Sequence, residues 1–141
     1  QVDLPPLVVA GAQGWGDVSV AASDKVKFLG HVEERFLSGL YAAASVMAYP
    51  SLWEGFGLPV LEAMAQGTPV VTSESISTQE VAGGAAVLVD PRNTESIQNG
   101  IRNALAERVI LSQRGLERAA RATWSETAQL TAAAYDEVIA Q

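Results

Sequence analysis

The chain has no cysteine, a single histidine, and only nine lysines and arginines among its 141 residues. Without cysteine there is no disulfide framework and no thiolate site for zinc, a composition that suits a cytoplasmic protein. With His31 alone, a multi-histidine metal centre cannot form. The basic residues face sixteen acidic ones, for a net charge of −7. This argues against a nucleic-acid partner, because phosphate backbones are held by clustered Lys and Arg. A polybasic patch for a membrane surface is missing for the same reason. No apolar run reaches the length that crosses a bilayer. The first residues also lack the basic stretch and apolar core of a signal peptide.

What is present is globular. Apolar residues make up 48% and charged residues 18%, and the length suits one domain with a proper core. Short apolar runs alternate with amphipathic stretches. Leu7-Val8-Val9-Ala10, Val26-Lys27-Phe28-Leu29, Ser45-Val46-Met47-Ala48-Tyr49, Pro69-Val70-Val71-Thr72 and Ala86-Val87-Leu88-Val89 read as strands, each closed by Gly, Pro, Ser or Asp. Such continuous runs suit parallel strands covered on both faces. Between them, Leu37, Leu40, Tyr41 and Ala44 share a helical face, and so do Ile97, Ile101, Ala104 and Leu105. Asn93 or Thr94 would cap the second of these helices. Leu58 to Ala65 is a strong helix former with Gly67 as its stop. Ser77-Thr78-Gln79-Glu80 and Thr123-Trp124-Ser125-Glu126 have capping-box spacing, and the helix after the second runs to about Ile139. The alternation means an α/β layered sheet. Only eight residues lie between Gly16 and Lys25, which is short for a crossover between parallel neighbours.

The most informative stretch is Pro50-Ser51-Leu52-Trp53-Glu54-Gly55-Phe56-Gly57-Leu58-Pro59-Val60-Leu61-Glu62. It leaves a strand, passes two glycines and enters a helix. Free N–H groups and the helix dipole at such a place attract an anion. Glu54 and Glu62, with seven residues between them, would repel a bare phosphate. They would instead accept hydrogen bonds from hydroxyl groups. A ligand with a phosphate core and hydroxyls at both ends, such as a nucleotide sugar, fits both demands.

Each feature also has a plainer explanation. A Gly-x-Gly turn after a strand is usually only a turn. Glu62 would be a solvated helix residue, except that its helix is otherwise apolar and has little exposed face to spare. His31 reads as a strand-end histidine with a local hydrogen bond. Leu40 and Tyr41 read as core. Trp53 reads equally as packing or as a wall of the sugar site. The basic run from Arg114 to Arg121 reads as a solvated face paired around Glu117. Ser75 and Ser77 make no serine triad, since the only histidine lies elsewhere and no nucleophile elbow exists.

From Ser45 to Val71 the chain closely resembles the family 4 retaining glycosyltransferases of the GT-B type. The likeness extends through Lys25-Val26-Lys27-Phe28-Leu29-Gly30, Leu40-Tyr41-Ala42-Ala43-Ala44 and Ser77-Thr78-Gln79-Glu80-Val81-Ala82-Gly83 to Trp124-Ser125-Glu126. Gly11-Ala12-Gln13-Gly14-Trp15-Gly16 and Pro69-Val70-Val71-Thr72-Ser73 add a bacterial mannosyltransferase flavour. The resemblance implies that residues 1–141 form the C-terminal, donor-binding half of a GT-B fold. That half is a Rossmann-like α/β parallel sheet with helices on both faces. It implies that Glu54 contacts the donor sugar, as the one catalytic position, and that Glu62 holds the ribose hydroxyls. Gly55, Phe56, Gly57 and Leu58 would lie near the diphosphate and sugar, and Gly30, His31 and Val32 at the nucleobase. The donor would be a nucleoside diphosphate sugar, GDP-mannose by preference, with no metal and no cofactor. The acceptor would be a glycan or lipid-linked sugar, met through an N-terminal domain. The enzyme would work in polysaccharide biosynthesis, cytoplasmic or peripheral at the inner membrane.

The departures from the family pattern matter as much. The opening strand and the basic pair that such enzymes aim at the diphosphate have no counterpart, and none of the nine basic residues stands at the matching place. Gln79 replaces a common proline. A fragment is therefore expected, inactive alone, lacking the first central strand of its sheet and open to a strand-completing partner or to homo-oligomerisation. The competing class is a nucleotide-binding or assembly module without catalysis. A sugar-phosphate isomerase of related build is a further alternative, but the catalytic carboxylates and cleft histidine that it needs are not seen.

Overall fold

The computed structural model describes residues 4–12 and 24–140. Residues Gly14-Trp15-Gly16 and the short segment before Asp24 lie outside the described residues. The chain divides into two compact units, residues 1–40 and 41–141.

In the first unit, β1 (Leu7–Ala10) and β2 (Val26–Gly30) form a parallel ladder, Leu7 opposite Val26 and Val9 opposite Phe28, with an irregularity between Val9 and Ala10. Both strands run into glycines in left-handed conformation, Gly11 at φ 128° and Gly30 at φ 67°. That region disfavours any residue with a Cβ. The Gly11 N–H donates to the Gly30 carbonyl at 2.8 Å, tying the two strand ends together. Helix α1 (Glu34–Ala43) begins here, and its last turn, from Tyr41, belongs to the second unit. The strands are parallel, as their apolar runs imply, but they are not covered on both faces. Leu7, Val8, Phe28 and Leu29 are all exposed.

The second unit holds the core. Strands β3 (Met47–Tyr49), β4 (Val70–Ser73) and β5 (Val87–Val89) form a parallel sheet in the order β3-β4-β5. Helix α2 (Leu58–Ala65) connects the first pair and α3 (Ile76–Ala82) the second. Central β4 is buried along its whole length, and its alternating side chains feed two clusters. Val70 packs with Val60, Ala63 and Met64 of α2 and with Val81 and Ala82 of α3. Val71 packs with Val89, with Ala104 of α4 (Thr94–Ala106) and with Leu111 of α5 (Arg108–Arg121). The last helix, α6 (Trp124–Ile139), has no buried residue.

Most helix ends follow the sequence signals. The Asn93 side chain accepts from the Glu95 and Ser96 N–H groups, and Thr123 accepts from that of Glu126. Gly67, at φ 72°, closes α2 by donating to the Met64 carbonyl at 2.9 Å. Two expectations are corrected. Ser77 does not cap α3, which starts a residue earlier, at Ile76 after Ser75. The Ser77 hydroxyl instead donates to the Glu54 carbonyl at 3.0 Å. The basic run on α5 is not merely a solvated face either. Half-buried Arg118 donates to the Val81 carbonyl at 2.8 Å and the Glu80 carbonyl at 3.2 Å. It thereby supplies donors to orphan carbonyls at the end of α3.

Candidate functional site

The site is assembled where β3 hands the chain to α2. Pro50 follows the strand, and Ser51 folds back to donate its N–H to the Tyr49 carbonyl at 3.0 Å. The loop is then pinned by hydroxyls from its neighbours. Buried Ser73 of β4 donates to the Ser51 carbonyl at 2.5 Å, Ser51 Oγ to the Trp53 carbonyl at 2.9 Å, and Ser77 of α3 to Glu54 as described. Buried Thr72 adds a bond to the Tyr49 carbonyl at 3.1 Å. These short side chains satisfy loop carbonyls that would otherwise be costly to hold beside the core.

Gly57 is the N-cap of α2, buried, at φ 102°. A Cβ there would be strained whatever space it found. Its neighbours at 3.7 Å would be Glu54 Cγ and Thr78 Cγ2. Gly55 differs, being exposed with open space around a notional Cβ, so only the second glycine of the turn is required by the backbone. Pro59 sits in the first turn of α2, where a missing N–H costs nothing. Among the described residues, the N–H groups of Phe56, Gly57 and Leu58 donate to no backbone carbonyl.

Two carboxylates flank this helix start, and each is held by a tyrosine. Tyr49 Oη donates to Glu54 Oε2 at 2.8 Å, and Tyr41 Oη donates to Glu62 Oε2 at 3.0 Å. Glu54 is half-buried and Glu62 exposed. Neither is ion-paired among the described residues. Burial foremost, then the hydrogen bond to its carboxylate, pushes each tyrosine up to about 12 from 10.0. The negative charge of Glu62 also reaches Tyr49, so the four side chains form one electrostatic cluster. Tyrosines that remain protonated are donors, and they occupy one oxygen of each carboxylate.

Glu54, Gly55, Phe56, Gly57, Leu58 and Glu62 thus come together around one helix start. Gly30, His31 and Val32 stand in the first unit, where β2 ends, and their expected place at the nucleobase rests on the resemblance. His31 is exposed and makes no hydrogen bond to another described residue, contrary to its reading as a locally bonded strand-end histidine. Trp53 is 87% exposed, which removes the packing explanation. Tyr41 is half-buried against the first core cluster, as read, but its hydroxyl also serves Glu62. Tyr49 and Ser77 were not legible as site residues. The one available signal was a hydroxylated aromatic ending a strand five residues before a carboxylate. A concavity lined by Arg108, Val109, Ser112, Gln113 and Leu116 lies on α5 and contains none of the site residues.

Comparison with known proteins identifies the family and the fold. A family profile described as glycosyl transferases group 1 matches residues 4–107. The O-antigen chain mannosyltransferase B of Escherichia coli is 38% identical over 140 residues, covering 92% of this chain and 37% of that protein. The O-antigen chain mannosyltransferase RfbU of Salmonella typhimurium is 42% identical over 86 residues, 61% of this chain and 24% of that protein. The chain therefore spans roughly a quarter to a third of these relatives. Among solved structures, the sucrose-phosphate synthase of Thermosynechococcus elongatus superposes with a TM-score of 0.72 at 33% identity, over 84% of this chain and 31% of that one. Anabaena HepE in complex with UDP and glucose superposes with a TM-score of 0.77 over 93% of this chain and 40% of that one. At 20% identity, that likeness speaks to the fold alone. The fold is thus that of GT-B glycosyltransferases, and the chain belongs to the group 1 glycosyl transferase family.

Proposed function

We propose that residues 1–141 are the donor-binding part of a retaining hexosyltransferase that moves a mannosyl group from a nucleoside diphosphate sugar to an acceptor hydroxyl. The observation that carries this reading is the pair Glu54 and Glu62, un-ion-paired among the described residues and set on either side of a helix start with free N–H groups. Carboxylates in that state accept hydrogen bonds from neutral hydroxyls, and the helix start between them suits a diphosphate. Glu62 takes the ribose diol and Glu54 the sugar hydroxyls. As the glycosidic bond breaks, charge develops on the leaving diphosphate, and preorganised donors aimed at it lower the barrier. The N–H groups from Phe56 to Leu58 are such donors. Glu54 orients the sugar and is not assigned as a nucleophile, and the reading needs neither metal nor cofactor.

The mannosyl donor is favoured because the two relatives above are mannosyltransferases of O-antigen chains. By the same analogy the acceptor is a growing glycan or lipid-linked sugar, met through sequence outside the 141 residues. Among the described residues no helix is long and apolar enough to cross a membrane. The proposed place of action is the cytoplasmic side of the inner membrane. The test is calorimetric titration of the full-length protein with a panel of nucleoside diphosphate sugars, followed by NMR of the product anomer. GDP-mannose is expected to bind tightest and to transfer with retention. Absence of binding by every nucleotide sugar sinks the reading.

A further inference from the structure

Resting on that donor-site reading, we propose that Tyr41 and Tyr49 are positioning residues. Each locks one oxygen of its glutamate, so that the other oxygen is presented to the ligand in a fixed orientation. The arrangement is the same twice. A tyrosine hydroxyl donates to Oε2 of Glu62 or Glu54, and among the described residues Oε1 of each glutamate is left without a partner. An unrestrained glutamate loses rotamer freedom when it grips a ligand, whereas one held beforehand has already lost it. A neutral donor such as a phenol achieves this without cancelling the negative charge that the ligand hydroxyls need. A lysine or arginine in the same place would compete for it.

The tethers are themselves anchored. The Tyr41 carbonyl accepts from buried Thr68 at 2.6 Å, and the Tyr49 carbonyl from buried Thr72 at 3.1 Å. Both hydroxyls therefore project from backbone bonded to residues at or beside the central strand. The two sites are not equivalent. Each glutamate side chain has one tether, its tyrosine, but Glu54 is half-buried, which also limits its side chain. Glu62 is exposed and has the Tyr41 bond alone as its side-chain tether. Losing Tyr41 should thus release Glu62 more fully than losing Tyr49 releases Glu54.

The experiment is a pair of double-mutant cycles in the full-length protein, Tyr41→Phe with Glu62→Ala and Tyr49→Phe with Glu54→Ala. Calorimetric affinity for the nucleoside diphosphate, kcat and KM with the sugar donor, and the thermal midpoint are measured for each variant. Removing a hydroxyl bonded to a charged group should cost roughly tenfold in the property that its glutamate controls. For Tyr41→Phe that property is nucleotide affinity. For Tyr49→Phe it is kcat, with affinity for the sugar-free nucleotide kept. Each loss should vanish when the partner glutamate is already Ala, because the tyrosine acts only through it and alanine leaves nothing for its hydroxyl to hold. Losses that add independently, or tyrosine variants that lower only the thermal midpoint, overturn the proposal and leave the donor site standing. If the glutamate variants themselves change neither binding nor turnover, the donor-site reading fails and the positioning role falls with it.

Discussion

At the scale of single residues, the site turns on how two carboxylates of equal charge divide the work. Glu62, exposed on α2, faces the part of the ligand common to every nucleoside diphosphate under the proposed reading. Glu62→Ala should weaken nucleotide binding by about 1–3 kcal/mol, the range for hydrogen bonds to a charged group, with Glu62→Gln losing less. Glu54, half-buried, faces the transferred sugar under the same proposed reading. Glu54→Ala should therefore lower turnover while leaving affinity for the free nucleotide nearly intact. Calorimetry with the nucleoside diphosphate, beside steady-state rates, separates the two. Equal losses in both measurements would move Glu54 off the sugar. The tyrosines supply a check that needs no ligand. Each is raised to about 12, so the protonated hydroxyl is the form that folding favours. The stabilisation is complete below the ordinary tyrosine value of 10.0 and is lost as the pH climbs through about 12. Difference absorbance against the Tyr41→Phe and Tyr49→Phe variants should show both phenols ionising late. Glu62→Gln and Glu54→Gln should each bring the partner tyrosine down. A tyrosine that titrates identically with and without its carboxylate is not bonded to it in solution.

Between elements, α4 approaches the sheet closely at Gly100. A Cβ at Gly100 would collide with Val89 Cγ1 and stand 3.2 Å from Val71 Cγ1. Both valines belong to the buried cluster that α4 covers. Gly100→Ala should thus destabilise by about 1–3 kcal/mol through overpacking, although alanine is the better helix former. Chemical denaturation measures it, and a gain in stability would mean that α4 can lift off at little cost. This contact illustrates why part of the fold was legible in the sequence and part was not. Apolar runs and capping residues are local signals, and they placed β1 to β5, the stop of α2 and the caps of α4 and α6 within a residue or two. Ser77 and Arg118 carry equally local signals, a capping box and a charged helix face, yet both were spent elsewhere. Ser77 bonds a carbonyl 23 residues away and Arg118 one 37 residues away. Only the assembled fold brings such partners within reach. The carboxylate pair was legible because strand, glycine turn and helix start are contiguous in the chain. The tyrosines were not, because Tyr41 reaches Glu62 across 21 residues and a half-buried tyrosine reads first as core.

Across the whole molecule, burial is uneven, and this predicts a gradient of local stability. Val70, Val71, Thr72 and Ser73 of β4 are fully enclosed, and each side of that strand is bonded to a neighbour, β3 or β5. Their amides can open only when the second unit loses its core. In β1 and β2, by contrast, Leu7, Val8, Phe28 and Leu29 are exposed, and the ladder has two strands. Two-stranded ladders without a covered face are marginal in water. Helix α6 likewise contains no buried residue, so little packing opposes its fraying. Amide hydrogen exchange follows such differences directly, because regions with few buried apolar contacts open at free energies well below that of global unfolding. For the 141-residue chain, we expect the amides of β4 to exchange slowest, with those of α2 and α4 close behind. The amides of β1, β2 and α6 should exchange faster by orders of magnitude. If β1 and β2 prove as protected as β4, their exposed faces and edges are covered in solution, and the same measurement across a dilution series then tells an intermolecular cover from an intramolecular one. Protection that falls on dilution identifies a second copy of the chain, and protection independent of concentration identifies the chain's own residues.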